Sequence, residues 1–351
     1  MENRSYHQQK NIEYTKKLRE FLAELPMYVT SYFRGIEQRT QARSRLAYAN
    51  DIKVFFEWIK KSNPRYAAGE LKNIPAEALS EMTPFDIEEY MEYLKLRDDD
   101  TCETVNAEVT IKRKMSALRS LYNYLYKNQI IENNAPIQVD MPKLHEKAIV
   151  RLDVDEVSKF LDVVEYGPKN MSDRKKKFHE NNKVRDLAIM TLLLGTGMRV
   201  SELVGIDLKD VDFDNGRVKV TRKGGYEAYI YFGEEVLEAL EKYVDEREEM
   251  KDIKPGHEDA LFLSSRKSRI TVRSIEIMVK EYSSYITTVK KITPHKLRST
   301  YGTALYQETG DIYLVADVLG HKDVNTTKKH YAAIDEERKL KARDIVKLRK
   351  E

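Results

Sequence analysis

An arginine in the second half of the chain has the setting of an anion-binding residue. Arg199 follows Gly195-Thr196-Gly197, whose glycines allow a tight turn after an apolar helix, so Arg199 is expected to project from the start of the next helix. Glu202 lies three residues later on the same helical face, where its carboxylate can hold the guanidinium in position. An ordinary surface ion pair has the same spacing, so the motif alone leaves both interpretations open.

A lysine and a histidine–arginine pair follow along the chain. Lys223, in the string RKGG, is predicted at the tip of a β-hairpin, either as an exposed turn residue or as a proton donor to a neighbouring site. Thr293-Pro294 predicts the start of a helix, with His295 and Arg298 three residues apart on one face. That pair suits a phosphate, although a capping histidine beside a surface arginine gives the same pattern.

Another histidine and a tyrosine lie near the C-terminus. Gly320 permits a turn before His321, and Tyr331 comes ten residues later. A tyrosine says little by itself, because the chain contains 22 of them. His321 and His330 lack the HExxH spacing, and the nearby aspartates form no metal-ligand pattern, so no metal site is predicted.

Considered together, these side chains favour chemistry on a phosphodiester. The set contains neither a carboxylate general base nor an activated serine. Two guanidiniums can bind the non-bridging oxygens and stabilise the extra charge of a pentacoordinate transition state without a metal. Each such contact is worth about 2–4 kcal/mol.

The elements that must position these residues are predicted to be helices around one small sheet. Helices are expected near 153–164 and over 186–194, the second ending at Gly195, and again from Glu234 onward. Three strands separated by Asn-Gly and Gly-Gly turns are expected to form a meander: 211–213, 217–222 and 226–232.

The first half of the chain is predicted to form a helical domain of its own. Apolar residues recur at helical spacing in four runs: 12–33 with a break at Pro26, 46–59, the segment opened by Thr83-Pro84, and 104–127. The other face of the fourth helix carries four basic residues: Lys112, Arg113, Lys114 and Arg119. They form either a solvated surface or a DNA-facing one, because phosphate contacts need clustered positive charge.

Composition and local pattern bound the domains and the cellular location. Residues 133–150 have two prolines and no helical period, so a linker is predicted at 136–150, between domains of residues 1–135 and 151–351. Lys and Arg number 61 against 58 Asp and Glu; the net charge of +3 excludes a long charged tail but not nucleic-acid binding. A single cysteine, Cys102, excludes an intramolecular disulfide, and no segment resembles a signal peptide or a membrane span. A cytoplasmic protein is therefore predicted.

The order Arg…Lys…His-x-x-Arg…His…Tyr resembles the catalytic domain of the tyrosine recombinases. Its contexts here are GTGMRVSEL, RKGG, TPHKLRSTYGTALY and LGHKDVNTTKKHY, and the resemblance covers roughly residues 150–351. The upstream unit looks like the family's core-binding domain. The resemblance implies a mainly α fold, with an N-terminal four-helix, SAM-like domain and an α-rich catalytic domain holding a small three-stranded antiparallel sheet. The branch that looks most similar is that of the single Xer recombinases.

The resemblance also implies how bonds and protons would move. Tyr331 would attack the scissile phosphate, giving a 3′-phosphotyrosyl link and a free 5′-hydroxyl. Because a phenol has a pKa near 10, it needs a base at neutral pH, and His295 takes that role. Lys223 would protonate the departing 5′-oxygen.

The remaining residues of the motif would bind and place the phosphate. Arg199 and Arg298 would clamp it, His321 would hydrogen-bond a non-bridging oxygen, and Glu202 would orient Arg199. Since the phosphotyrosine conserves the bond energy, another strand's 5′-hydroxyl can reverse the attack without ATP. No cofactor is implied.

Partners are implied in the same way. The two domains of a family member close around a double-stranded DNA recombination site, and Lys112, Arg113 and Lys114 are reasonable phosphate contacts. A homotetramer would act on two sites, with the segment after Tyr331 docking on a neighbouring protomer, although the sequence equally allows a solvated terminal helix. An FtsK-like translocase is the expected controlling partner.

Two departures from the family pattern affect the assignment. Ser299 stands where many members have a second histidine, which removes none of the six residues. The interval from His321 to Tyr331 is ten, whereas Xer proteins of this branch have nine and various phage and transposon integrases have ten. His330 occupies the nine-spaced position.

Three functions therefore stand side by side. The first is Xer-type resolution of chromosome dimers at a dif-like site, favoured because no extra N-terminal arm-binding domain is evident. The second is an integrase of a phage or conjugative transposon. The third, a DNA-binding protein that does not cleave, would be expected to have lost at least one of the six residues. A type IB topoisomerase shares the chemistry but needs neither the helical N-terminal unit nor a tetramer-coupling tail.

Overall fold

The chain divides into two units, Met1–Lys147 and Ala148–Glu351. The structure, a computed structural model, describes residues 5–99, 102–144, 150–168, 171–222, 225–321 and 324. The mainly helical architecture expected from the sequence is confirmed in both units.

The first unit is a helical bundle with one short hairpin. Its helices are α1 (Tyr6–Ala23), α2 (Met27–Gly35), α3 (Ala42–Ser62), α4 (Glu77–Ser80), α5 (Pro84–Lys95), α6 (Glu108–Lys127) and α7 (Ala135–Gln138). Single 3-10 turns occupy Glu37–Arg39 and Leu71–Asn73. Strands β1 (Leu96–Asp99) and β2 (Cys102–Val105) pair antiparallel between α5 and α6.

Helix α5 begins where the Thr-Pro signal predicts. The Thr83 backbone N–H donates to Asp86 Oδ2 at 2.7 Å, and the Asp86 N–H donates back to Thr83 Oγ1 at 3.4 Å. Pro84 fills the first helical position, where a missing N–H costs nothing. This reciprocal cap starts α5 at a defined residue.

The core of the first unit is rich in aromatic rings from α3, α5 and α6. Phe55 stacks on Trp58 with ring centroids 5.8 Å apart, and Tyr90 meets Phe55 edge-on at 4.9 Å. Tyr122 of α6 lies beside the same Phe55 ring at 6.3 Å. Burial of these large rings accounts for much of the apolar area that holds the bundle together.

The first unit differs from the sequence prediction at two places. Thr104 and Val105 belong to β2, so α6 begins at Glu108 rather than at Thr104. Residues 136–138, predicted to open the linker, belong to α7 (Ala135–Gln138), whose Ala135 and Pro136 are buried in the core of the unit. The predicted linker therefore started too early, because its first residues bury apolar surface that the helical periodicity did not reveal.

The second unit places eight described α-helices and one 3-10 turn around one sheet. They are α8 (Val154–Tyr166), α9 (Asp173–Glu180), α10 (Lys183–Thr196), α11 (Val200–Val204), a 3-10 turn (Leu208–Asp210), α12 (Glu234–Glu248), α13 (Val272–Ser284), α14 (Pro294–Thr309) and α15 (Ile312–Leu319). Strands β3 (Val211–Asp212), β4 (Arg217–Thr221) and β5 (Glu227–Tyr231) form the antiparallel meander expected from the turn signals.

Helix α10 lies at the centre of the second unit. It packs against α8, α12 and α14, and its Ala188, Ile189 and Leu192 are fully buried. Near its start, Tyr282 of α13 donates a hydrogen bond of 2.9 Å to the carboxylate of Asp186, which also pairs with Arg185 at 2.6 Å. Burial raises the pKa of Asp186. These contacts hold α10, and hence the turn that follows it, in a fixed position.

Within the described residues, no helix is long and apolar enough to cross a membrane.

Candidate active site

The turn after α10 carries Arg199, as the glycine pattern predicts. The helix continues one residue past the predicted end at Gly195, and Gly197 closes it in the left-handed conformation at φ +63°. A Cβ on Gly197 would collide with the Tyr301 ring and lie 2.9 Å from Leu319. Glycine is therefore required here both for the turn and for the close approach of α14 and α15.

Glu202 holds Arg199 by two hydrogen bonds. The Arg199 backbone N–H donates to one carboxylate oxygen at 2.8 Å, and its Nη1 donates to the other at 2.8 Å. The side chain of Glu202 is 4% exposed and that of Arg199 is 34% exposed. A buried carboxylate thus orients a guanidinium that still reaches solvent. In an ordinary surface ion pair, by contrast, both side chains would be exposed.

Arg298 joins Arg199 at the end of α15. Arg298 is only 5% exposed; its Nη1 donates to the Gly197 carbonyl at 2.7 Å, and its Nη2 donates to the Leu319 carbonyl. Arg199 Nη2 donates to the next carbonyl, that of Gly320, at 3.1 Å. Two guanidiniums about 100 residues apart in the chain therefore meet at adjacent peptide groups.

The two described histidines of the motif lie on α14 and at the end of α15, the elements that bring Arg298 and Arg199 together. His295 is exposed in the first turn of α14, three residues before Arg298. His321 is partly exposed and follows Gly320, whose φ of +62° ends α15. The His321 backbone N–H donates to the Ala316 carbonyl at 2.8 Å, which fixes the backbone from which its side chain projects.

Lys223 and Tyr331 lie outside the described residues, as does the segment after Tyr331 predicted to dock on a neighbour. The strands that flank Lys223, β4 and β5, are described and pair in register from Arg217↔Tyr231 to Thr221↔Glu227. Four of the six predicted catalytic residues, together with Glu202, are thus described.

Arg222 is a residue of this site that the sequence analysis missed. Its guanidinium packs against the backbone of Gly320, and its Nη2 lies 3.3 Å from the Val318 carbonyl. The signal in the sequence was its place beside Lys223 in RKGG, two residues after the inward-facing Val220.

The basic face predicted on α6 is divided in the structure. Lys114 is 6% exposed and its Nζ lies 3.1 Å from the buried carboxylate of Asp51 on α3, so the prediction that it faces DNA is wrong. Arg113 pairs with the same carboxylate, but 46% of its side chain is exposed. A buried aspartate needs a counter-charge, and Lys114 supplies it from inside the bundle.

Arg119 also has a partner within its own unit. Its Nε donates to the Pro136 carbonyl at 2.9 Å, and its Nη2 donates to the Val139 carbonyl. It therefore holds the segment around α7 against α6. Of the four predicted DNA contacts, Arg113 is exposed, Lys112 and Arg119 are partly exposed, and Lys114 is buried.

Family models match most of the chain. Residues 150–338 match the phage integrase family, and residues 29–132 match the phage integrase N-terminal SAM-like domain. Curated relatives include tyrosine recombinase XerS of Streptococcus uberis, 33% identical over 92% of this chain and 96% of that protein. XerS of Streptococcus gordonii is 32% identical over 90% of this chain and 94% of its own length.

Solved structures show the same fold. A XerH recombinase bound to a palindromic difH substrate, in a post-cleavage complex, aligns with a TM-score of 0.61 at 21% identity, over 95% of this chain and 94% of that one. The Tn1549 transposon integrase in complex with circular intermediate DNA aligns with a TM-score of 0.63 at 20% identity, over 89% of this chain and 99% of that one.

Proposed function

Because the chain belongs to the phage integrase family and is a site-specific tyrosine recombinase, we propose that it cuts and rejoins DNA through a 3′-phosphotyrosyl intermediate, as a Xer-type enzyme that resolves chromosome dimers at a dif-like site. The observation that carries the chemistry is the meeting of Arg199 and Arg298 on adjacent carbonyls at the end of α15, beside His321. The observation that favours the Xer branch is the identity to XerS over nearly the whole chain.

The scissile phosphate binds between Arg199 and Arg298. Each guanidinium has five N–H donors in a rigid plane, and fixing that plane in advance favours the charge that develops on the non-bridging oxygens. Glu202 fixes the plane of Arg199, while the Gly197 carbonyl fixes that of Arg298. His321 adds a hydrogen bond to one of these oxygens.

Tyr331 supplies the nucleophile and two side chains move the protons. The Tyr331 oxygen forms a bond to phosphorus as its proton passes to His295. The bond from phosphorus to the 5′-oxygen breaks, and Lys223 gives that oxygen a proton. Attack by a 5′-hydroxyl of a partner strand runs the same steps in reverse, so the exchange requires neither ATP nor a cofactor.

The DNA partner is a double-stranded recombination site, bound by a homotetramer that pairs two such sites in the cytoplasm. XerH and the Tn1549 integrase, which share the fold, were solved on DNA. In this chain, Lys112 and Arg113 on α6 are the phosphate contacts proposed for the first unit, because both reach solvent, whereas the guanidinium of Arg119 is held by the Pro136 and Val139 carbonyls. Control by an FtsK-like translocase would couple resolution to cell division.

A mobile-element integrase is the second candidate function. One observation favours it: the interval from His321 to Tyr331 is ten, which resembles that of various phage and transposon integrases. The chemistry is the same, and the two candidates differ in the DNA that is cut.

The chemistry is tested with a suicide substrate that carries a nick beside the candidate cleavage position. Wild-type protein is expected to form a covalent protein–DNA adduct, which Tyr331→Phe abolishes. Tyr313→Phe, which removes a hydroxyl from an exposed tyrosine on α15, is the matched control and should leave the adduct intact. An undiminished adduct in Tyr331→Phe would exclude Tyr331 as the nucleophile.

The biological substrate is tested by sequencing the chromosomal DNA trapped in such adducts in the host cell. A single cleavage position near the replication terminus supports dimer resolution. Cleavage at the two ends of a mobile element would instead establish the integrase function and reject the Xer role.

A further inference from the structure

The last carbonyl groups of α15 are shared between backbone and arginine donors. An α-helix leaves its final carbonyls without partners in the helix. Here the Ala316 and Asp317 carbonyls accept from the backbone N–H groups of His321 and Gly320, each at 2.8 Å. The next three carbonyls each accept from a different arginine: Val318 from Arg222, Leu319 from Arg298 and Gly320 from Arg199.

Arg222 reaches this helix end by lying flat on Gly320. A Cβ on Gly320 would lie 2.5 Å from Nη1 and 2.7 Å from Cζ of Arg222, so the guanidinium occupies the space that any other residue would fill. Its Nε is buried and donates to no partner among the described residues. The contact is therefore one of planar packing plus a single hydrogen bond, which a flexible ammonium group could not reproduce.

The backbone of Arg222 forms the base of the hairpin loop. Val218 and Val220 of β4 face inward, and Arg222 continues that alternation beyond the end of the strand. Its N–H donates to the Tyr226 carbonyl at 2.7 Å, and its carbonyl accepts from the Gly225 N–H at 3.0 Å. The residue that touches α15 thus also closes the loop whose next residue is Lys223.

We propose that Arg222 is a positioning residue that fastens the β4–β5 hairpin to the end of α15 and thereby sets where Lys223 delivers its proton. This inference rests on the proposed role of Lys223 as the acid for the 5′-oxygen. Arg199 and Arg298 hold the same helix end, so the tether joins the base of the β4–β5 loop, at Arg222, to the element that both phosphate-binding arginines contact. The alternative, a third guanidinium that binds the phosphate directly, makes a different prediction in the same experiment.

The test compares two suicide substrates in single-turnover cleavage. One carries the normal 5′-oxygen at the scissile phosphate, and the other carries sulfur in that bridging position. A thiolate leaves without protonation, so the sulfur substrate does not need the acid. Arg222→Ala is expected to slow cleavage of the oxygen substrate about 10- to 100-fold, since a misplaced donor loses part of the gain from general acid catalysis. On the sulfur substrate it should cleave at the wild-type rate.

Two further variants are measured in the same way, one to test the role of Lys223 and one as a matched control. Lys223→Ala should show the same pattern with a larger loss on oxygen, which tests the proposed function by itself. Arg217→Ala removes an arginine from the same β4 strand, one that pairs with Asp212 at 2.8 Å and lies over Tyr229, and it should behave as wild type on both substrates.

Each unfavourable outcome has a distinct meaning. Equal loss on both substrates for Arg222→Ala, or no loss on either, would overturn the tether, the first because Arg222 would then act on the phosphate or on folding. Full activity of Arg222→Lys would show that charge alone matters and would also overturn it. If sulfur fails to restore Lys223→Ala, the acid assignment itself fails, and the inference fails with it.

Discussion

In the first unit, the ammonium group of Lys114 lies 3.1 Å from the carboxylate of Asp51, whereas in the second unit the guanidinium groups of Arg199, Arg298 and Arg222 meet at backbone carbonyls. A carboxylate carries a full negative charge and can cancel that of an ammonium group, whereas a carbonyl oxygen carries only a partial negative charge. Of the three arginines, Arg199 also pairs with a carboxylate, that of Glu202. The guanidinium groups are therefore gathered at one helix end, where an anion can bind, while the buried lysine contributes to the stability of its bundle.

The largest effect is expected from removing the charge of Asp51. Asp51→Asn leaves the Lys114 ammonium buried without its counter-charge, which should lower the free energy of unfolding of the first unit by about 3–5 kcal/mol. Trp58 is the single tryptophan of the chain and lies in the core of that unit, so its fluorescence during urea unfolding reports on this unit alone. The double variant Asp51→Leu with Lys114→Met should recover most of the loss. A single variant as stable as wild type would contradict a structural role for the pair.

The second expected effect concerns catalysis rather than folding. Arg298→Ala should reduce the single-turnover cleavage rate about 100- to 1,000-fold, because a preorganised donor to the transition-state charge is removed. The adduct assay measures it, and Trp58 fluorescence should show the first unit unchanged. Arg266→Ala is the matched control. Arg266 lies at a turn of the second unit, and its contact in the described structure is made by its backbone N–H, which donates to Ser264 Oγ. A rate within a few-fold of wild type would mean that Arg298 only joins the helices.

A smaller effect is expected from Arg119, whose contacts are neutral. Arg119→Ala leaves the Pro136 and Val139 carbonyls without their donor, which should cost about 1–3 kcal/mol in the unfolding of the first unit. Affinity for DNA, measured by titration at fixed salt, should stay the same. A loss of DNA affinity with an unchanged free energy of unfolding would instead show that Arg119 contacts DNA.

The smallest effect is expected from Lys112 and Arg113 on α6. Lys112→Ala and Arg113→Ala should each lower the slope of log affinity against log salt by about one, with little change in the free energy of unfolding. Titrations of labelled site DNA at several salt concentrations measure the slope. An unchanged slope in both variants would remove α6 from the DNA contacts proposed for this chain.

Local sequence signals predicted the parts of the fold that depend on neighbours in the chain. The cap at Thr83, the meander after Asn215-Gly216 and the turn at Gly197 each follow from a few adjacent residues, and all three are present. The Arg199–Glu202 contact belongs to this group, because i and i+3 on one helix face are neighbours in any fold.

The features that escaped prediction depend on residues far apart in the sequence. Lys114 looked like part of a basic face because its partner, Asp51, is 63 residues away on α3. The β1–β2 hairpin has a charged strand with no apolar alternation to mark it. Arg222 was seen only as the neighbour of Lys223 in the sequence, because the helix end that it contacts lies 96 residues further along the chain.

The central position of α10 in the second unit should determine how the arrangement of Arg199 and Arg298 is lost on unfolding. Since most of α10 is buried and the helix ends at the turn that carries Arg199, the amide hydrogens of its buried residues should exchange with deuterium only when the whole unit opens. The arrangement of Arg199 and Arg298 is then insulated from small local fluctuations. On heating, the arginine arrangement should disappear in one cooperative step rather than loosen by degrees.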